Sequence, residues 1–175
     1  LPDNEKQALY QTNENIATQN AYSLVLNAPV QFVKWWNSNN SLNIFHIGFK
    51  APDLAGQKLD NKSTSFQFKS QHTFNIRPGL SAELMFRYDS PVTFGVMEIG
   101  RRYGLDAGVS KSLFNKKASL KLAATDIFNT QINRINSAFP GLYYTLYGNN
   151  DRQYGSVSFT YRFGKNEIKP ARNRS

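Results

Sequence analysis

Cysteine is absent from the 175 residues, which excludes a disulfide framework and a thiolate metal site. Long hydrophobic runs are missing too. No stretch approaches the roughly 18 apolar residues of a membrane helix, and the mean hydropathy is −0.52. Histidine is scarce: His46 and His72 show no metal-ligand spacing to each other or to carboxylates. There is no Gly-rich phosphate loop, nucleophile elbow or HExxH helix. The acidic residues Glu83, Asp89 and Asp106 sit among Lys and Arg, as in a charged wall rather than a paired-carboxylate hydrolase. The expectation is a protein that is not an enzyme and holds no metal and no cofactor. The start, Leu1-Pro2-Asp3-Asn4-Glu5-Lys6, lacks the charged and apolar regions of a signal peptide, so an exported protein would be represented here by a fragment.

Aromatic residues, by contrast, are plentiful at 14%, with 13 Phe and 9 Tyr. They fall in period two, which marks strands with one apolar and one polar side. Gly155, Val157, Phe159, Tyr161 and Phe163 oppose Ser156, Ser158, Thr160 and Arg162. Leu80, Ala82, Leu84, Phe86 and Tyr88 oppose Ser81, Glu83, Met85, Arg87 and Asp89. Phe66, Phe68, Phe74 and Ile76 oppose Lys69, Gln71, Thr73, Asn75 and Arg77, and His72 falls on their apolar side. Tyr103, Leu105, Ala107 and Val109 oppose Arg102, Asp106 and Ser110, while Leu120, Leu122 and Ala124 oppose Ser119, Lys121 and Thr125. Upstream, Tyr22, Leu24 and Leu26 alternate with Ser23 and Asn27, and Phe45, Ile47 and Phe49 alternate with His46 and Gly48. A polar average with alternating aromatics fits an antiparallel transmembrane β-barrel. It also fits a soluble β-sandwich.

About seven strands are expected. Short turns are predicted at Asn37-Ser38-Asn39-Asn40, Arg77-Pro78-Gly79 and Asn115-Lys116-Lys117. Longer polar links are predicted over Ala51 to Lys62, Ser90 to Glu98 and Ile127 to Asp151. Alternation of tight periplasmic turns with long outer loops is the rhythm of outer-membrane barrels. Counting back from a periplasmic C-terminus puts every short turn on one side and residues 1 to about 18 in an outer loop. Trp35, Trp36 and Phe114 then stand near short turns, where an aromatic girdle belongs.

Two segments carry a family resemblance. Leu113-Phe114-Asn115-Lys116-Lys117-Ala118 through Leu122, then Asp126-Ile127-Phe128-Asn129-Thr130, resembles the penultimate hairpin of TonB-dependent receptors. The ending from Asp151 to Lys165 resembles their closing strand, in which Gly155, Val157, Phe159, Tyr161 and Phe163 are the signal read by the barrel-assembly machinery. Residues 20–43, with Asn27, Pro29, Trp35 and Trp36, resemble the receptor-like branch. The resemblance implies an all-β fold: residues 1–163 as about seven C-terminal strands of a larger barrel, and 164–175 as a basic periplasmic tail. It implies solute uptake across the outer membrane of a Gram-negative bacterium. The partners it implies are outer-membrane lipid, the assembly machinery and, through a region upstream, TonB.

On this reading Lys69, Gln71, Thr73, Arg77, Glu83, Arg87, Arg102, Asp106, Lys121 and Arg162 face the lumen, where they line a path or touch a plug. The net charge of +9 is spread along the chain. No nucleic-acid partner is expected, because aromatics and charges occupy opposite faces, whereas a single-strand groove needs both on one. A structural or assembly barrel, and a soluble β-sheet binding module, stay open on the residues alone.

Overall fold

The computed structural model describes residues 2–3, 8–9, 17–54, 56–139, 141–148 and 152–163. These form thirteen strands, and no helix occurs among the described residues. β1 (Pro2–Asp3) and β2 (Ala8–Leu9) make a short antiparallel pair. The main sheet comprises β3 (Thr18–Val33), β4 (Trp36–Leu54), β5 (Gln57–Arg77) and β6 (Leu80–Asp89), followed by β9 (Arg102–Leu113), β10 (Ala118–Thr125) and β13 (Tyr154–Tyr161). The intervening β7 (Val92–Phe94), β8 (Met97–Ile99), β11 (Asn133–Phe139) and β12 (Leu142–Gly148) build a second, four-stranded sheet.

The main sheet runs β13-β10-β9-β6-β5-β4-β3, an open seven-stranded antiparallel meander whose edges are β3 and β13. Its turns have simple chemistry. Pro78-Gly79 closes β5 onto β6, with Gly79 at φ 77 supplying the left-handed position that a type II turn requires. Phe114, Asn115 and Lys116 all take positive φ in the turn before β10.

Register determines the faces, because directly paired residues project to the same side of a sheet. One face carries Tyr22, Leu24 and Leu26 on β3, then Leu42 and Ile44, Phe66 and Phe68, and Leu84 and Phe86 on the next three strands. It continues through Leu105 and Val109 on β9, Leu120 and Leu122 on β10, and Val157 and Phe159 on β13. Nothing covers it among the described residues. Leu122 is 50% exposed and Val157 is 74% exposed, and the only buried hydrophobic residues described are Ala51, Ala118 and Phe139. A soluble sandwich would bury such a face against a second layer. The long apolar run matches instead a wall stabilised by hydrocarbon.

Aromatic rings bracket that run. At the short-turn end Trp36 stacks on Phe32 (ring centroids 4.3 Å) and Phe74 (5.6 Å), and Tyr161 meets Phe163 at 4.7 Å. At the other end Phe66 stacks on Tyr88 at 5.5 Å, beside Tyr103. From Leu80 to Tyr88 is about 27 Å along the strand at about 3.4 Å per residue, or about 20 Å of depth at a tilt near 40°.

Several boundaries depart from the sequence expectation. The first short turn is Lys34-Trp35, not Asn37–Asn40, so Trp35 lies in the turn and Trp36 begins β4. The Asn-rich run reads as a turn former, yet Asn40 finds its partners inside the sheet, donating from Nδ2 to Ala28 O at 3.2 Å. Ala51 to Lys62 is no loose link: β4 and β5 continue as a hairpin to Leu54 and Gln57, making strands of 19 and 21 residues. The other two long links carry β7–β8 and β11–β12. Phe45, Ile47 and Phe49 lie on the polar face, whereas Leu42, Ile44 and His46 share the apolar one. Phe49 is accommodated there because Phe94 of the folded loop packs on it, centroids 6.3 Å apart. The tail 164–175 lies outside the described residues.

Candidate functional site

The opposite face of the main sheet is mainly polar, apart from Val25, Phe45, Ile47 and Phe49 on β3 and β4, and two kinds of wall meet on it. Across β4 and β5 the residues are Asn37, Asn39, Ser41 and Asn43 beside Ser65, Gln67, Gln71 and Thr73. These are amides and hydroxyls, with Lys69 the charged residue among them. Across β6, β9 and β10 the wall is a ladder of ion pairs. Arg102 donates from Nε and Nη2 to one Asp89 oxygen at 3.0 and 2.7 Å, and from Nη1 to Asn133 Oδ1 at 3.1 Å. Arg87 reaches Asp106 at 3.4 Å, and Lys121 reaches Glu83 at 3.0 Å. All three pairs are partly solvated, so each stabilises weakly, and together they hold charge in fixed places.

The long loops fold back onto this face. After β10 the chain turns at Asp126 and Asn129, both with positive φ, a conformation that Asp and Asn tolerate. Asp126 is 1% exposed, and its carboxylate closes the turn. Oδ1 accepts from Thr130 N (3.0 Å) and Thr130 Oγ1 (3.3 Å), and Oδ2 accepts from Gln131 N (3.1 Å). Asp126 N donates to Asp106 Oδ1 at 2.8 Å, which ties the loop to the ladder. Gln131 is buried against Gly104, where an added Cβ would lie 2.5 Å from Gln131 Nε2. The hairpin β7–β8 is clamped by β5. Ser65 Oγ donates to Pro91 O at 2.6 Å, Thr93 N donates to Ser63 Oγ at 3.1 Å, and Asn61 Nδ2 donates to Gly95 O. Pairing of Ile135 with Ile99 and Asn136 with Glu98 joins the two loops into the order β12-β11-β8-β7.

Trp36, His72, Ser70 and Asn40 on the apolar face satisfy one another within the sheet, as hydrocarbon demands. Trp36 Nε1–H donates to His72 Nδ1 at 3.2 Å. That assignment leaves the proton on Nε2, which reaches Ser70 Oγ at 3.0 Å. Ser70 Oγ then donates to Asn40 Oδ1 at 2.6 Å. His72 is thus held in a closed relay. Among the described residues no group of three or more His, Cys, Asp or Glu is placed to hold a metal ion.

A sheet with one apolar face framed by aromatic rings, one mainly polar face, and long loops folded over the polar side fits the wall of a membrane barrel. Residues 1–161 match the outer membrane protein beta-barrel family. The chain belongs to that family. Membership places it in the outer membrane. No curated protein and no solved structure matched.

Within this barrel wall, the expected lumen residues Lys69, Gln71, Thr73, Glu83, Arg87, Arg102, Asp106 and Lys121 share the polar face. Arg77 does not join them in register. A bulge after Asn75 puts it opposite Leu80 at the turn. Arg162 follows β13, its backbone N–H donating to Lys117 O at 2.8 Å. Gly155, Val157, Phe159 and Tyr161 lie on the apolar face against Ala124, Leu122, Leu120 and Ala118, and Phe163 is 90% exposed beyond them. Sequence reasoning missed Asp126 and Gln131 as loop anchors. An Asp four residues before a Thr, in a Gly-free turn, was the signal available.

Proposed function

We propose that these strands are the C-terminal wall of a TonB-dependent receptor-like transporter that takes up a solute across a Gram-negative outer membrane. The observation that carries this reading is the polar face itself, where amides and hydroxyls on β4 and β5 meet fixed charges on β6, β9 and β10 under loops anchored to them. Single-chain bacterial barrels begin at eight strands with an even count, and the open seven-stranded sheet of the described residues fits part of a larger wall. The Asp126–Thr130 box and the closing strand through Phe163 support the receptor-like branch by resemblance. On this reading outer-membrane lipid covers the apolar face, the assembly machinery engages the closing strand, and TonB acts through a region upstream. We assign the wall no catalysis and no nucleic-acid partner.

Growth of the parent bacterium on a panel of single nutrients tests it. Deleting the full-length gene should abolish use of one nutrient class, and removing TonB should reproduce the loss. Unchanged growth on every nutrient, with leaky or misassembled membranes instead, would favour a structural barrel.

A further inference from the structure

Three pairs of opposite charge stand on the polar wall, and one cross-strand pair brings like charges together. On the lumen face Lys69 stands directly opposite Arg87 across the β5–β6 ladder. Two cations in that relation, with Cβ atoms about 5 Å apart, repel and destabilise the pairing. The two nearest carboxylates each serve another cation, Asp89 through Oδ2 alone. Asp89 holds Arg102 through two hydrogen bonds, and Asp106 serves Arg87 and the Asp126 backbone N–H. Lys69 is exposed and has no ion-pair partner among the described residues. Its direct neighbours on this face besides Arg87 are Ser41 across the ladder and Gln67 and Gln71 along β5, all uncharged hydrogen-bonding groups, with Asp89 diagonal to it opposite Gln67. On the far side of Arg87 lies Gly104, over which Gln131 is packed as a wall.

We propose that Lys69 and Arg87 form an anion subsite on the barrel wall, taking a carboxylate or phosphate group of the transported solute. The guanidinium, which reaches Asp106 through Nη2 alone, offers its other edge to two oxygens, the ammonium supplies a mobile charge, and the flanking amides satisfy the remaining oxygen lone pairs. An anion between the two cations converts their repulsion into two attractions. A break in local charge logic of this kind is expected at a working site rather than in plain scaffold. The inference deepens the uptake reading and rests on it for the identity of the ligand.

Amine footprinting of the full-length protein in detergent tests the subsite, with inorganic phosphate as the probe and sodium chloride at equal ionic strength as the control. Labelling of Lys69 is read by mass spectrometry against Lys50 and Lys58. With phosphate at about ten times its dissociation constant, Lys69 labelling should fall about tenfold, because only the free protein reacts. Lys50 and Lys58 should not change. Arg87→Gln should cancel the protection, and Arg87→Lys, which keeps the charge and loses the fork, should weaken it. Lys69 labelled equally with and without phosphate would overturn the subsite, and the wild-type protein alone decides this. A Lys69 already protected in chloride would place an internal carboxylate on it and overturn the proposal as well. The footprint needs no transport. A protected Lys69 in a protein that takes up nothing leaves the subsite standing and removes the uptake reading, and an unprotected Lys69 in a working transporter removes the subsite alone.

Discussion

The two faces of the main sheet are built from the same strands, residue by alternate residue, and obey opposite rules. On the apolar face polar groups are few, and those around Asn40, Ser70 and His72 close a relay with one another, because lipid offers no partner. On the polar face hydrogen-bonding groups are abundant and partly solvated, and water supplies what the protein does not. Adjacent positions such as Lys121 and Leu122 therefore differ in what they tolerate far more than their sequence neighbourhood suggests.

The largest effect expected from this difference comes from a charge placed on the wrong side. Leu122→Arg in the full-length protein should cost about 2–4 kcal/mol near the bilayer midplane. Lys121→Gln one residue earlier should cost well under about 1 kcal/mol, since its pair with Glu83 is half solvated. Denaturant titrations of both variants in detergent or lipid supply the comparison, and equal costs would remove the assignment of faces.

A smaller effect is expected where the polar face holds its loop. Asp126→Ala leaves three donors, on Thr130 and Gln131, without their acceptor in a buried turn. The cost should be about 1–3 kcal/mol, confined to the loop. Hydrogen exchange should show faster exchange over residues 126–139 with the ladder strands unchanged. A global loss of protection would mean that the loop holds the wall rather than the reverse.

The sequence made the faces plain because period two needs no tertiary information. Leu120, Leu122 and Ala124 alternate with Ser119, Lys121 and Thr125 whatever they pack against. Its errors arose where a residue's local preference met a long-range partner. Asn37–Asn40 favour a turn in isolation, and the pairing of Asn40 with Ala28 and Ser70 keeps them in β4. Phe45 and Phe49 follow the alternation, yet their side was misjudged, since a loop some 45 residues downstream supplies Phe94 to cover Phe49. The pairs Arg102–Asp89 and Arg87–Asp106 depend on strand register, which spacing along one strand does not contain. Arg77 was lost to a bulge for the same reason.

The smallest effect lies in the turn between β9 and β10, which belongs to neither face. Lys116 sits at φ 70, a strained position for a residue with a Cβ. Lys116→Gly should raise stability by about 0.5 kcal/mol, the relief of that strain less the entropy glycine adds to the unfolded chain. A loss of stability in the same titration would show that the lysine side chain contributes more at the membrane edge than its backbone costs.

The central claim is that one side of the sheet meets lipid and the other meets water. This chain has no cysteine, so once any cysteine elsewhere in the full-length protein is replaced by serine, single cysteines can be placed one at a time along β10 from Ser119 to Ala124. Each would be spin-labelled in the full-length protein in bilayers and probed with oxygen, which partitions into lipid, and with a water-soluble nickel chelate. The account predicts strict alternation: labels at 120, 122 and 124 relaxed by oxygen, and labels at 119, 121 and 123 relaxed by the chelate. Accessibility that does not alternate, or that runs in the opposite phase, would contradict it.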